Sequence, residues 1–185
     1  MKDYIVLLRG INVGGKNKVP MAELKRCLED LGCLDVITYI NSGNVILRSD
    51  VDAKSLGLQI EKTLSRNFKL DSSVIKVLVL TRAELEAVIA EKPEGFGEQP
   101  EEYHSDAIFL MGITADKAMA VFNPREGVDK IWPGTGVIYS QRLSALRTKS
   151  RLSQIMGTPV YKSMTIRNWN TALKLLELSR AFGSD

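Results

Sequence analysis

One stretch of this 185-residue chain concentrates groups that bind anions. It reads Arg9-Gly10-Ile11-Asn12-Val13-Gly14-Gly15-Lys16-Asn17-Lys18-Val19, with three cations, three glycines, two asparagines and no acid. An arginine grips a phosphate or carboxylate through two parallel N–H bonds. Glycines let backbone N–H groups approach an anion closely, and a following helix start adds donors. Arg9, Asn12, Gly14, Gly15, Lys16 and Asn17 therefore form a candidate anion site. Four turn residues further on, Asn41, Ser42, Gly43 and Asn44, supply neutral hydrogen-bonding groups. The stretch has neither the GxxxxGK[ST] spacing of a P-loop nor the GxGxxG of a dinucleotide fingerprint. The plain alternative is a solvated loop whose glycines shape turns.

Other chemistries find little support. The chain has one histidine, His104, and two cysteines, Cys27 and Cys33. No metal-ligand cluster, disulfide framework or redox CxxC is available, and no metal or cofactor is expected. Cys27 continues the apolar stripe of Leu24, Leu28 and Leu31 and reads as a buried thiol. A phosphate-ester or acyl-phosphate hydrolase would use Arg9 for developing charge and Asn41 to place water, but no general base is evident. No segment approaches the roughly 20 apolar residues of a membrane span, and no signal-peptide core stands at the start. The expected location is the cytoplasm.

The elements that position the loop follow from periodicity. Tyr4–Leu8 is a short apolar run, read as a buried strand. Pro20 and Gly32 bracket a helix. Val36–Ile40 and Val45–Leu47 are strands around the 41–44 turn. Leu56, Ile60, Leu64 and Phe68 mark a second helix, and Val74–Leu80 a β-branched strand. Thr81 and Glu84 form a capping box for a further helix. Lys92–Ser105, with two prolines and two glycines, breaks periodicity and reads as a linker.

The second half repeats this order. Strands are expected at Ala107–Met111, Lys130–Trp132, Val137–Ser140 and Ser163–Ile166. Helices are expected at Ala115–Phe122 and Leu143–Met156, with a last one capped by Asn168. The fold class is α+β: two tandem ferredoxin-like βαββαβα subdomains with antiparallel sheets, at 1–91 and 106–185, joined by 92–105. In such a unit the first two strands run parallel. The anion loop and the 41–44 turn therefore meet at one end of the sheet.

The formal net charge of +3 hides an asymmetry. Residues 130–174 hold eight cations and no acid, while 94–129 hold eight acids and two Lys/Arg. Arg142, Arg147, Lys149 and Arg151 are a candidate basic patch for phosphate backbones or an acidic partner. Its plain alternative is a solvated helix face. An RNA-recognition platform needs aromatics on central strands, and the first half has none there. Partners would be a phosphate-containing small molecule or nucleic acid. A protein-interaction or regulatory module is the remaining alternative.

Three segments carry a family resemblance: Leu8–Met21, Tyr39–Val45 and Arg167-Asn168-Trp169-Asn170-Thr171. They resemble a bacterial family catalogued as domain of unknown function family 1697. The resemblance implies a ferredoxin-like α+β protein without an assigned activity. It also draws Arg167, Asn168, Trp169 and Asn170 in as a motif of the second half. The loop is similar in placement to that of acylphosphatases, where an arginine loop follows strand one and an asparagine ends strand two. This loop is longer and spaced differently.

Overall fold

The structure, a computed structural model, describes residues 1–71, 73 and 75–182. The chain falls into two compact units. The first comprises Met1–Leu85 with Lys174–Asp185, and the second Glu86–Leu173.

In the first unit the order is β1 (Lys2–Arg9), α1 (Met21–Asp30), β2 (Leu34–Tyr39), β3 (Asn44–Ser49), α2 (Ala53–Asn67) and β4 (Lys76–Thr81), followed by α3 (Arg82–Ala90). These are the elements expected from the sequence, with ends shifted by a few residues; Val74 lies outside the described residues. The strands form one antiparallel sheet in the order β2-β3-β1-β4. Tyr4, Val6 and Leu8 of β1 pack with Val45 and Leu47 against Leu24 and Leu28 of α1 and Leu56, Ile60 and Leu64 of α2. Burying such side chains contributes about 1.5–3 kcal/mol each. The opposite face of the sheet is also covered: Ile5, Leu7 and Ile46 are all buried. A base-stacking platform there is excluded by burial as well as by composition.

The capping box at Thr81 forms as expected. The Thr81 N–H donates to the Glu84 carboxylate at 2.7 Å, and the Glu84 N–H donates back to the Thr81 hydroxyl at 3.2 Å. Gly32 follows α1 with φ +91°, a conformation that favours glycine. Cys27 departs from expectation. It is half-buried, and Cys33 is the buried thiol; burial pushes both upward from the ordinary thiol value.

The second unit holds β5 (Tyr103–Leu110), α4 (Ala115–Met119), β6 (Asp129–Gly134), β7 (Val137–Leu143), β8 (Met164–Asn168) and the start of α5 (Trp169–Ala181). Its sheet order is β6-β7-β5-β8, again antiparallel. One face carries Ile108, Leu110, Ile138 and Met164 against Ala118 and Ile155. On the other, Phe96 is fully buried, edge-on to Trp132, Tyr139 and Trp169 at 5.0–5.9 Å between centroids. Trp169 and Trp132 are thus packing residues.

Two expectations fail here. The helix over Leu143–Met156 does not form. Instead β7 runs to Leu143 and three short 3-10 helices follow, at Ser144–Lys149, Leu152–Gly157 and Pro159–Ser163. Serines, threonines and Gly157 in this stretch compete with helical hydrogen bonds, and Asp129 captures the Arg151 N–H at 2.8 Å. The stretch read as a linker is also structured, since Phe96 sits in the core and β5 starts at Tyr103.

Candidate functional site

The loop after β1 is a built structure. Gly14 and Gly15 have φ of +57° and +74°, and the Lys16 N–H donates to the Val13 carbonyl at 3.0 Å. This is the pattern of a two-residue hairpin turn with positive φ at both central positions, where glycine is favoured. Below it the Asn12 N–H donates to the Asn17 carbonyl at 2.9 Å. Asn12 and Asn17 themselves sit at φ +53° and +50°, a region asparagine tolerates better than most residues.

The asparagine side chains hold this hairpin in place. Asn12 Oδ1 accepts the Val19 N–H at 2.8 Å, and its Nδ2 donates to the carbonyls of Val19 and Asn41, both at 2.9 Å. Asn17 Nδ2 donates to the Gly10 carbonyl at 2.9 Å, while its Oδ1 accepts the Asp71 N–H at 2.8 Å. In the turn, Asn44 is buried and donates to the Tyr39 carbonyl and the Ser42 hydroxyl. These three carboxamides are struts, so groups expected to face a ligand are spent on fixing the backbone. Gly43 explains the close packing: its carbonyl accepts the Leu8 N–H at 2.8 Å, and a Cβ there would lie 2.8 Å from Ile11 Cδ1 and Leu8 Cβ.

The loop and the 41–44 turn therefore meet, as the parallel course of β1 and β2 requires. What remains outward is Val13, Gly14, Gly15, Lys16 and Lys18, all exposed. Among the described residues the Gly14 and Gly15 N–H groups carry no intramolecular bond. Arg9 is half-buried at the end of β1, in register with Lys76, the exposed first residue of β4. Sequence reasoning missed Lys76, and pairing β4 antiparallel to β1 would have placed it. Lys69, exposed, lies two residues before Asp71, whose backbone is tied to Asn17. Cations from three chain segments thus gather at one end of the sheet. The Asp71 carboxylate there accepts from the Ser73 N–H and hydroxyl.

The remaining sequence candidates are placed differently. Arg167 is buried, donates to the Thr165 hydroxyl and the Ile166 carbonyl, and is brought down to about 10 by burial. Asn168 caps α5, its Oδ1 accepting the Asn170 N–H at 3.0 Å. Asn170 is exposed. In the basic segment, Arg142 lies on β7 with Nη1 3.7 Å from Asp106 Oδ2. Arg147 and Lys149 are exposed, and Arg151 is half-buried where its N–H meets Asp129. No group of three or more His, Cys, Asp or Glu residues able to hold a metal occurs among the described residues. No helix of the described residues is long and apolar enough to cross a membrane.

A family model described as "Protein of unknown function (DUF1697)" matches residues 1–139. The chain belongs to the DUF1697 family. The matched stretch contains the hairpin loop, the 41–44 turn and His104; it ends before the Arg167 motif. The chain is also similar over its length to a solved structure, that of conserved bacterial protein SP0830 from Streptococcus pneumoniae. The two are 28% identical with a TM-score of 0.77, covering 96% of this chain and 98% of that one. No curated protein matched.

Proposed function

We propose that this DUF1697 protein binds phosphate groups at the hairpin-loop end of its first unit, and that both units are ferredoxin-like folds in tandem. The shared strand permutation, β2-β3-β1-β4 and β6-β7-β5-β8, supports the tandem reading. The observation that carries the binding reading is a hairpin tip whose Gly14 and Gly15 N–H groups make no intramolecular bond among the described residues, with Lys16 and Lys18 exposed beside it and Arg9 in register with Lys76 at the same end of the sheet. Backbone donors fixed in advance cost little ordering entropy on binding, and nearby cations add long-range attraction. Binding is favoured over hydrolysis because the loop and the 41–44 turn contain no Asp, Glu or His, and the Asp71 carboxylate at that end accepts from Ser73.

Thermal unfolding tests this reading. Wild type and a Lys16→Ala/Lys18→Ala variant would be melted with pyrophosphate, nucleoside triphosphates and short RNA, at low and high salt. A ligand at 100 times its Kd adds about 2.7 kcal/mol. At about 2–4 °C per kcal/mol for a chain of this size, that is roughly 5–10 °C. A shift present in wild type, lost in the variant and reduced by salt supports the site. Equal shifts in both proteins, or none with any probe, overturn it. A shift with RNA alone assigns the phosphate source to nucleic acid.

A further inference from the structure

A second site lies wholly within the second unit. Strands β5 and β8 pair from Asp106↔Asn168 to Leu110↔Met164. β5 begins three residues earlier, so Tyr103, His104 and Ser105 overhang the point where β8 ends and α5 starts. Between this overhang, the start of α5 and the segment around Gly97 lies a cleft of ≈ 190 Å³. Its frame is held by hydrogen bonds. Asn168 Nδ2 donates to the Ser105 carbonyl at 3.4 Å, and Gln141 Oε1 accepts from both the Ser105 hydroxyl and the Gly97 N–H at 3.0 Å.

Four further lining groups are not consumed in that frame. The Tyr103 and Ser144 hydroxyls and the Asn170 carboxamide have no hydrogen bond among the described residues. His104 is bound on one side only, with Nε2 3.0 Å from Asp106 Oδ1. Its other ring nitrogen, Nδ1, has no partner among the described residues and can donate or accept according to the tautomer. Asp106 is contacted by His104 and by Arg142, Lys130 Nζ sits 5.3 Å over the Tyr103 ring, and the lining itself carries no Lys, Arg, Asp or Glu. A charged ligand would find no counter-charge among the lining residues themselves. Hydroxyl and carboxamide groups both donate and accept, which matches a ligand rich in hydroxyls. Trp169 and Pro100 add apolar wall for C–H surface. The volume is below the range of about 300–1,000 Å³ typical of drug-sized ligands, which suits an occupant of one ring.

We propose that this cleft binds a small neutral polyol the size of a single sugar ring. None of its residues belongs to the hairpin-loop site. Saturation-transfer NMR on the full chain would test ribose, glucose and galactose, with acetate and inorganic phosphate as anionic controls. At least one sugar should receive saturation. A Ser144→Ala/Asn170→Ala variant, whose side chains support no part of the frame, should melt like wild type and bind on the order of 10–100-fold more weakly. Lys16→Ala/Lys18→Ala should leave the sugar signal unchanged. No sugar signal, a sugar signal indifferent to the Ser144/Asn170 pair, or saturation of the anions in place of the sugars would each overturn the proposal.

Discussion

Replacing Asn12 by alanine removes three hydrogen bonds at once. Lost are the bonds from Nδ2 to the Val19 and Asn41 carbonyls and the bond from the Val19 N–H to Oδ1, all at 2.8–2.9 Å. Intramolecular hydrogen bonds are worth about 0.5–1.5 kcal/mol net. The Asn41 contact is exposed, so water replaces part of it, and the three together come to about 2–3 kcal/mol. Alanine also carries the φ of +53° less well than asparagine, which adds about 1 kcal/mol. The sum is about 3–4 kcal/mol, or roughly 6–16 °C in Tm for a chain of this length. Asn12→Gly separates the two parts, because glycine accepts the positive φ while losing the same bonds. It should be about 1 kcal/mol less damaging than alanine. Urea and thermal unfolding of the three proteins would decide. Melting of Asn12→Ala within about 2 °C of wild type would refute the strut role, and Asn12→Gly as damaging as alanine would refute the backbone part.

Other sites give sharper contrasts. Gly43→Ala meets Ile11 and Leu8 at 2.8 Å and a φ of +78°, so it should cost about 2–4 kcal/mol in urea unfolding, whereas Gly15→Ala, with open space around it, should cost only about 1. Phe96→Ala empties the centre of the aromatic cluster and should cost about 3–5 kcal/mol, which would show as an earlier denaturation midpoint. Burial opposes ionisation of Asp129, but the N–H groups of Arg151 and Arg125 and the Ser150 hydroxyl outweigh it and hold the carboxyl below its ordinary 3.8. Its ionised form thus stabilises the fold above that value, and the contribution fades as pH falls through the lower folded-state value. Asp129→Asn should be clearly less stable than wild type at neutral pH, and the gap should narrow in melts below about pH 4.

The first half was legible in sequence because its signals were local and agreed with one another. The Thr81/Glu84 box, Gly32 after α1 and the turn before Asn44 each fixed an element end, and apolar period did the rest. The meeting of the loop and the 41–44 turn was legible for the same reason, since element order alone brings them together. The division of labour within it was not. A sequence shows that Asn12, Asn17 and Asn44 can hydrogen-bond, but only the fold shows that backbone carbonyls occupy them. Lys76 comes beside Arg9 through antiparallel register, a long-range relation with no local signature. In the second half, apolar residues at Leu143, Leu146, Leu152 and Ile155 imitated helical spacing while 3-10 turns formed. Phe96 was hidden among the prolines and glycines of an apparent linker, and its burial depends on Tyr139 and Trp169, far along the chain.

The most direct test of the phosphate site is the amide spectrum of ¹⁵N-labelled protein titrated with pyrophosphate. The Gly14 and Gly15 amide protons should move downfield in saturable fashion as they come to donate to phosphate oxygens, with Lys16 following and with little response in Lys16→Ala/Lys18→Ala. Glycine amides that stay fixed while pyrophosphate saturates another surface, or that stay fixed throughout, would contradict it.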